Sequence, residues 1–263
     1  MNTALLKLSA LCLATTALVP LPALANHHEA PEHAGLDVAA TKAALAAAPG
    51  RSEDDKARDA SRKPAEVLAF LGLKPGDTVL DLIASGGWYS VAAAIATGPE
   101  GKVYAQNPAS ALQLRDGAYE TEITARLAAN NLPQIERLNS EIADLGVPDE
   151  TINVAITALN FHDVYNGFGA PAAIGMLQAV KAKLKPGGVL GVIDHVGDPD
   201  GDNKTAHRID PALAVAAAEA AGFTVVRNDE LLAGTDDDHR KNVFDPAVRG
   251  QTDRFLLKLV KPE

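Results

Sequence analysis

Apolar residues recur along this chain in two alternating patterns, short β-prone runs and longer stretches with helical spacing. The short runs predict seven strands, at residues 79–82, 102–105, 135–139, 152–159, 189–194, 223–227 and 255–260. The longer stretches predict helices, of which 88–97, 119–130, 171–184 and 211–221 are the clearest. Strands that alternate with helices are typical of a doubly wound, mostly parallel α/β sheet with helices on both faces.

The last predicted strand differs from the others in how the chain reaches it. Residues 228–254 are polar and show no helical spacing, so no crossover helix precedes the final run. A strand that follows another without a crossover pairs with it best in an antiparallel direction. We therefore expect a seven-stranded sheet that is parallel except for its last strand. Asp236, Asp237 and Asp238 in the polar loop are expected to be solvated.

Residues 79–90, which read Val-Leu-Asp-Leu-Ile-Ala-Ser-Gly-Gly-Trp-Tyr-Ser, combine a strand, a glycine turn and a helix. The strand contains Asp81, the turn is Ser85-Gly86-Gly87, and the helix begins at Trp88. Glycine lets the backbone approach a ligand closely, and the first turn of a helix offers unpaired N–H groups. The order is that of the ligand-binding corner of a Rossmann-like sheet. A turn that only joins a strand to a helix is the alternative on this stretch alone.

Ligands of open parallel sheets bind beyond the carboxyl ends of the strands, which lie along one edge. This rule brings together residues that are far apart in the sequence. They are Asp81, Ser85, Gly86 and Gly87 from the first strand, Gln106 and Asn107 from the second, Glu141 after the third, Asn160, His162 and Asp163 from the fourth, Asp194 and His195 from the fifth, and His207 on the loop that follows.

Histidines concentrate at this edge, each next to or near an aspartate. Because histidine titrates near neutral pH, we expect an acid–base site made of the following side chains: His162, Asp163, Asp194, His195 and His207. Helix capping and loop hydrogen bonding are the plainer alternative. A metal-dependent hydrolase that uses the three histidines is another, but the chain has no His-x-His or His-Glu-x-x-His spacing. No metal is therefore expected.

The first 25 residues have the features of a secretory signal peptide. Lys7 precedes an apolar run at 8–19, and Ala23-Leu24-Ala25 is an Ala-x-Ala cleavage site. The run is too short for a comfortable membrane span, which disfavours an uncleaved anchor. The single cysteine, Cys12, lies in this segment. The processed protein therefore has no thiol nucleophile or thiolate ligand, and we expect it in the periplasm or secreted.

The rest of the chain is expected to form one domain after a short linker. Residues 26–35 are polar and histidine-rich, which is typical of a disordered linker. Cleavage after Ala25 would make His28 the third residue of the processed chain. A free N-terminal amine with histidine at the third position can bind Cu(II) in a square-planar set of nitrogen atoms. Residues 36–263 then comprise N-terminal helices at 36–72 and a Rossmann-like core at 73–263.

Charge and composition limit the partners. The formal net charge is −10, and removal of Lys7 with the signal peptide makes it −11. An acidic chain binds nucleic acid and anionic lipid poorly. We therefore expect a small-molecule substrate, no nucleic acid and, after signal cleavage, no membrane partner. The sequence leaves the oligomeric state open.

Two further motifs accompany Val-Leu-Asp-Leu and the glycines at 79–87. They are Pro-Asp-Glu at 148–150, before the fourth predicted strand, and Leu-Lys-Pro-Gly-Gly-Val-Leu at 184–190, at the entry to the fifth. Through these motifs, residues 64–262 resemble the class I S-adenosylmethionine-dependent methyltransferases. More narrowly, the chain is similar to a group of exported methyltransferase-like proteins. That similarity rests on Arg-Lys-Pro at 62–64, Asn-Phe-His-Asp at 160–163, Asp-His at 194–195, His-Arg-Ile-Asp at 207–210 and Thr-Asp-Arg-Phe at 252–255.

The resemblance implies methyl transfer from S-adenosyl-L-methionine to a small molecule, with a histidine as the base. It also implies that the cofactor contacts the following residues: Asp81, Ser85, Gly86, Gly87, Gln106, Asn107, Glu141 and Asn160.

Two departures weaken the implied cofactor binding. The family usually has glycine where this chain has Ile83 and Ser85, and an acidic residue on the ribose where it has Gln106 and Asn107. An amide gives up a charge-assisted bond, which costs about 1 kcal/mol.

Export also separates the chain from a cofactor that is made in the cytoplasm. A non-catalytic exported binding protein with a degenerate cleft is therefore the alternative. A nicotinamide-dependent oxidoreductase is disfavoured by the antiparallel last strand and by the missing second glycine of the turn.

Cleavage after Ala25 is the first testable expectation. Intact-mass measurement of the exported protein should give a chain that begins at Asn26, because the Ala-x-Ala motif ends there. An exported protein that retains Met1 would contradict the signal-peptide prediction.

Overall fold

The computed structural model describes residues 35–234 and 236–263. The predicted signal peptide and nearly all of the histidine-rich linker lie outside these residues, so both remain predictions. Among the described residues, no helix has both the length and the apolar character needed to cross a bilayer.

Seven strands form one sheet in the order β3-β2-β1-β4-β5-β7-β6. Their bounds are β1 (Thr78–Leu82), β2 (Lys102–Gln106), β3 (Ile135–Leu138), β4 (Ile152–Ala158), β5 (Leu184–His195), β6 (Thr224–Asn228) and β7 (Arg254–Val260). Strands β3, β2, β1, β4 and β5 pair in parallel, and β7 pairs antiparallel with both β5 and β6. This confirms the expected α/β sheet with an antiparallel last strand.

Helices cover both faces of this sheet. In chain order they are α1 (Val38–Ala47), α2 (Glu53–Ala57), α3 (Asp59–Arg62), α4 (Pro64–Leu71), α5 (Trp88–Thr97), α6 (Ala109–Leu112), α7 (Leu114–Asn130), α8 (Phe161–Phe168), α9 (Ala170–Lys183), α10 (Asn203–Ala206) and α11 (Pro211–Ala220). Local signals explain several ends. Ser52 accepts a hydrogen bond from the Asp55 N–H at 3.1 Å and so caps α2, and Asp210 caps α11 through the Ala212 N–H at 2.8 Å.

Three elements differ from the sequence prediction. Helix α8 directly follows β4, where only a strand end was expected. Helix α7 begins at Leu114 rather than near residue 119, across three residues with left-handed backbone at 115–117. Strand β5 begins at Leu184, and the predicted turn at 185–188 is a bulge within it. Ile152 pairs with Leu184, and Val154 then pairs with Val189.

Alternate residues of the central strands pack into two cores, one on each face of the sheet. Leu80, Ala155 and Leu190 belong to one core, and Val79 and Val154 belong to the other. Asp81 follows Val79 by two positions, so its side chain lies on the same face, beneath α5.

The polar loop before β7 is tied to the loop before α11 by a buried ion pair. Arg208 and Asp237 contact each other through two pairs of atoms at 2.7 and 2.8 Å, and both side chains are almost fully buried. Arg208 also donates to the backbone oxygens of Val196 and Lys241, each at 2.8 Å. The expectation that Asp237 is solvated is therefore wrong. The sequence could not reveal this contact, because its two residues are 29 positions apart.

Candidate active site

The loop between β1 and α5 has the backbone shape expected of a glycine-rich corner, although two of its positions are not glycine. Ile83, Ser85 and Gly87 have φ angles of 53°, 51° and 77°, all in the left-handed region. That region costs a residue with a Cβ about 1–2 kcal/mol, and a β-branched residue is rare there. The alternating left-handed backbone is thus kept at Ile83 and Ser85 despite its cost.

Three amide side chains hold this loop in place. The Ile83 N–H donates to Gln106 Oε1 at 3.0 Å, and the Ser85 N–H donates to Asn107 Oδ1 at 2.8 Å. In the other direction, Asn107 Nδ2 donates to the backbone oxygen of Ser85 at 3.1 Å, and Asn160 Nδ2 donates to the backbone oxygen of Ile83 at 3.0 Å. Gln106 and Asn107 are buried. We call this set the amide clamp.

Side chains from α7 cover the glycines of the same loop. A Cβ on Gly86 would lie 2.5 Å from Glu122 Oε2, and one on Gly87 would lie 3.0 Å from Ile123 Cγ1. Arg126 donates to the Gly86 oxygen and forms an ion pair with Asp55 of α2 at 2.9 Å. The glycines therefore make room for α7 in the structure as it stands.

Asp81 and Glu141 lie apart from these contacts. Asp81 is buried and accepts a hydrogen bond from Ser90 Oγ at 2.6 Å, so it supports the first turn of α5. Burial raises the pKa of its carboxyl to about 7, although the hydrogen bonds from Ser90 act in the opposite direction. Glu141 is exposed on the loop after β3.

The predicted acid–base residues meet at the carboxyl ends of β4 and β5, around Asp194. Asp194 is fully buried and accepts three hydrogen bonds, two of them from His162: the His162 N–H to Oδ2 at 2.7 Å and His162 Nδ1 to Oδ1 at 2.7 Å. The third comes from the His195 N–H to Oδ1 at 2.8 Å. The aspartate adjacent to His195 in sequence thus directs its side chain to the other histidine.

The two buried histidines have opposite pKa shifts. Burial by itself lowers the pKa of His162, but the charges of Asp194 and Asp163 more than offset this and raise it to about 10. Burial lowers the pKa of His195 well below its usual value, and the positive charges of Arg254 and His162 add to that effect. At neutral pH, His162 is therefore an imidazolium and His195 a neutral imidazole, although their ring centroids are 6.0 Å apart.

Asp163 joins the third histidine to this cluster. Its Oδ1 lies 3.2 Å from His162 Nε2 and 3.3 Å from His207 Nδ1. His207 has a left-handed backbone, with φ of 56°, and its ring packs against Phe244 with the centroids 5.1 Å apart. The structure therefore brings together all five residues of the predicted acid–base site.

Residues beyond the sequence prediction contribute to the same edge. His195 Nδ1 lies 2.7 Å from Thr252 Oγ1, which also accepts a bond of 3.4 Å from Arg254 Nε. Arg254 and Arg62 line a cavity of about 10 Å³ beside Tyr89, at the ends of β4 and β5. The only sequence signals for these residues were the Arg-Lys-Pro and Thr-Asp-Arg-Phe motifs of the family resemblance.

The fold matches that of known methyltransferases. A SAM-dependent methyltransferase from Aquifex aeolicus is 22% identical over 86% of this chain and 98% of its own, with a TM-score of 0.59. Precorrin-6y C5,15-methyltransferase from Geobacter metallireducens is 17% identical over 76% of this chain and 88% of its own, with a TM-score of 0.51.

A third similar structure is described as a possible exported protein from Bordetella parapertussis. It is 16% identical over 87% of this chain and 80% of its own, with a TM-score of 0.53. No protein-family model matches the sequence, and no curated protein sequence matches it. The similar solved structures nevertheless show that the chain has the class I methyltransferase fold.

The residues at the corner fit an adenosyl ligand through the chemistry of their donors and acceptors. The side-chain amides of Gln106 and Asn107 can both donate and accept hydrogen bonds. They can therefore release the backbone groups of Ile83 and Ser85 and bind the hydroxyls of a ribose instead. Each exchange also frees a backbone N–H or C=O of the loop, which costs about 1–3 kcal/mol unless the ligand pairs with that group. Side chains of α7 lie against both glycines, so a ligand placed directly on these glycines requires Glu122, Ile123 and Arg126 to move.

The buried Asp81 carboxyl should make folding stability depend on pH. Its pKa is raised to about 7 in the folded protein, whereas an unfolded aspartate titrates near 4. The native state therefore holds a proton that the unfolded state has lost, and stability falls as pH rises from about 4 to about 7.

Asp81→Asn removes this proton and keeps the acceptor for Ser90. We expect the variant to equal the wild type near pH 4 and to become relatively more stable up to about pH 7, as urea denaturation would measure. Glu100→Gln, at an exposed carboxylate, is the control. Identical pH profiles for Asp81→Asn and the wild type would refute the prediction.

Proposed function

We propose that this chain is an S-adenosylmethionine-dependent methyltransferase that acts on a small-molecule acceptor. The observation that carries the proposal is the convergence of two features on one edge of a sheet with the methyltransferase strand order. One is the left-handed loop with its amide clamp, and the other is the histidine cluster around Asp194. Under this proposal the loop holds the adenosyl ligand and the histidines face the acceptor.

Gln106, Asn107 and Asn160 are the side chains placed to hold the ligand, because their amides already bind the loop on which it would lie. S-adenosylmethionine, when bound, supplies an electrophilic methyl group. Asp81 contributes indirectly: its bond with Ser90 supports the first turn of α5, next to the loop.

His195 is the candidate base for the acceptor's proton. Thr252 Oγ1 already accepts a bond from Arg254, and it can accept a second from His195 Nδ1–H, which leaves the Nε2 lone pair of His195 available. A neutral imidazole can take a proton at neutral pH, whereas the His162 imidazolium cannot. His162 contributes positive charge instead, which stabilises an acceptor oxygen that becomes anionic.

A binding protein without catalysis is the second candidate, and a specific observation favours it. The amide clamp satisfies the loop's own polar groups, and the neighbouring cavity of about 10 Å³ has room for about one water molecule. Such a cleft suits a protein that keeps the fold and has lost the cofactor. Ligand binding and turnover, measured separately, distinguish the two candidates.

Binding of S-adenosylhomocysteine should raise the melting temperature of the wild-type protein, because a ligand that binds only the native state stabilises it. At 100-fold excess over Kd the gain is about 2.7 kcal/mol. Gly87→Val should abolish the shift, because its side chain would fill the space between the loop and Ile123 that the ligand needs under this proposal.

The control for this experiment is Gly72→Val, at the end of α4. Gly72 has the same left-handed backbone as Gly87, with φ and ψ of 86° and 23° against 77° and 22°, and a Cβ there would meet only Lys258 Nζ, at 3.6 Å. Both variants therefore carry the same kind of backbone strain, and each is compared with its own ligand-free melting curve. No shift of the wild type at millimolar ligand would refute adenosyl binding, and with it the proposed methyltransferase.

Replacement of His195 should separate ligand binding from turnover. His195→Gln is expected to keep the thermal shift and to lower methyl transfer about 10²–10⁴-fold, because it removes the base alone. The acceptor is first found by screening small molecules with methyl-labelled S-adenosylmethionine. His239→Gln, a histidine paired with Asp253 at 2.9 Å, is the control and should keep both properties. Wild-type turnover in His195→Gln would return this histidine to a structural role.

A further inference from the structure

His162, Asp163 and His207 offer three ligand atoms to one point at the surface of the histidine cluster. The nearest nitrogens of both histidines and a carboxylate oxygen of Asp163 all lie within 4.8 Å of one another. His162 is buried, Asp163 is exposed and His207 lies between these extremes. Two imidazoles and one carboxylate form a common ligand set for catalytic zinc, which keeps a further position open.

The distances in this group match those between the ligands of a tetrahedral metal site. Asp163 Oδ1 lies 3.2 Å from His162 Nε2 and 3.3 Å from His207 Nδ1. Hydrogen bonds between an imidazolium and a carboxylate are shorter, about 2.7–2.9 Å. Ligand atoms bound at about 2.0–2.1 Å with tetrahedral angles lie about 3.3 Å apart. Both contacts therefore have the length of an edge of a tetrahedral site.

A buried outer partner already orients one of the ligands. His162 Nδ1 lies 2.7 Å from the fully buried Asp194, so a neutral His162 carries its proton there and directs the Nε2 lone pair at the site. Histidines that bind metal usually have such a carboxylate behind them, and it raises their basicity. Asp194 is thus an independent sign of a built site.

The position of His207 is fixed by contacts of the next residue, Arg208. The Arg208–Asp237 ion pair fixes the adjacent residue, and Asn166 Nδ2 of α8 donates to the Arg208 oxygen at 2.8 Å. The left-handed backbone of His207 then ends α10 and lets its ring face Asp163. Strain of this kind persists where the surrounding structure enforces it, and it often marks a functional residue.

We propose that His162 Nε2, Asp163 Oδ1 and His207 Nδ1 bind one divalent zinc ion. The ion takes the place of the Nε2 proton of the His162 imidazolium, so a positive charge remains beside Asp163. The side of the site at Asp163 and His207 is open to solvent, where water or an oxygen atom of a small molecule completes the shell. The inference is independent of the proposed methyl transfer, because its readout is metal binding.

The test measures zinc binding to the full processed chain by calorimetry after treatment with a chelator. Because His27, His28 and His33 could bind zinc themselves, all measurements use a variant with these three changed to Ala. One zinc ion per chain is expected, and Co²⁺ in its place should give the intense visible absorption of a tetrahedral nitrogen and oxygen site. Melting temperature should rise with zinc.

Asp163→Asn and His207→Ala should each weaken zinc binding beyond the ~10–100-fold that loss of an outer partner costs. Both side chains are partly exposed, at 60% and 39%, so we expect the variants to fold. His239→Ala is the matched control: this histidine also pairs with an aspartate, and zinc affinity should not change. Absence of micromolar zinc binding in the linker variant would overturn the proposal. Unchanged affinity in both correctly folded ligand variants would overturn it equally.

Discussion

The candidate active site depends on a single buried carboxylate, that of Asp194. It lies at the end of β5 without solvent contact and accepts two hydrogen bonds from His162 and one from His195. A carboxylate buried without such donors would cost several kcal/mol. This constraint fixes the first turn of α8 against β5 immediately after β4 ends. The positions of His162 and His195, and of Asp163 beside them, follow from it.

The neighbouring corner follows the same rule with neutral groups. Ile83 and Ser85 adopt a left-handed backbone that costs about 1–2 kcal/mol each. Four hydrogen bonds between this loop and amide side chains, two donated and two accepted by the amides, offset that cost at about 1 kcal/mol each. The amide clamp therefore stabilises a loop shape that glycines would adopt without help. It also occupies the polar groups that a ligand would use. Stability of the free protein and affinity for a ligand consequently compete at Gln106 and Asn107.

Charge at this edge is arranged so that neighbouring groups hold different protonation states. Asp194 and Asp163 keep His162 protonated, while Arg254 and burial keep His195 neutral. Environments that separate the pKa values of adjacent groups are the usual basis of acid–base chemistry in proteins. A cation is favoured between the two aspartates, whether it is a proton or a metal ion. The proposed methyl transfer and the proposed zinc site each place a positive charge beside Asp163, although the zinc site is inferred from distances alone.

The sequence by itself determined the sheet, because hydrophobic periodicity and capping residues act locally. It predicted the alternating strands and helices, the antiparallel β7, and the edge at which Asp81, Asn160, His162 and His195 lie. Only the tertiary structure decided which groups touch: Asp194 binds His162 across 32 positions, and Gln106 and Asn107 bind the loop 22–23 positions earlier. Such contacts depend on how strands are ordered and where side chains point, and no local pattern encodes either.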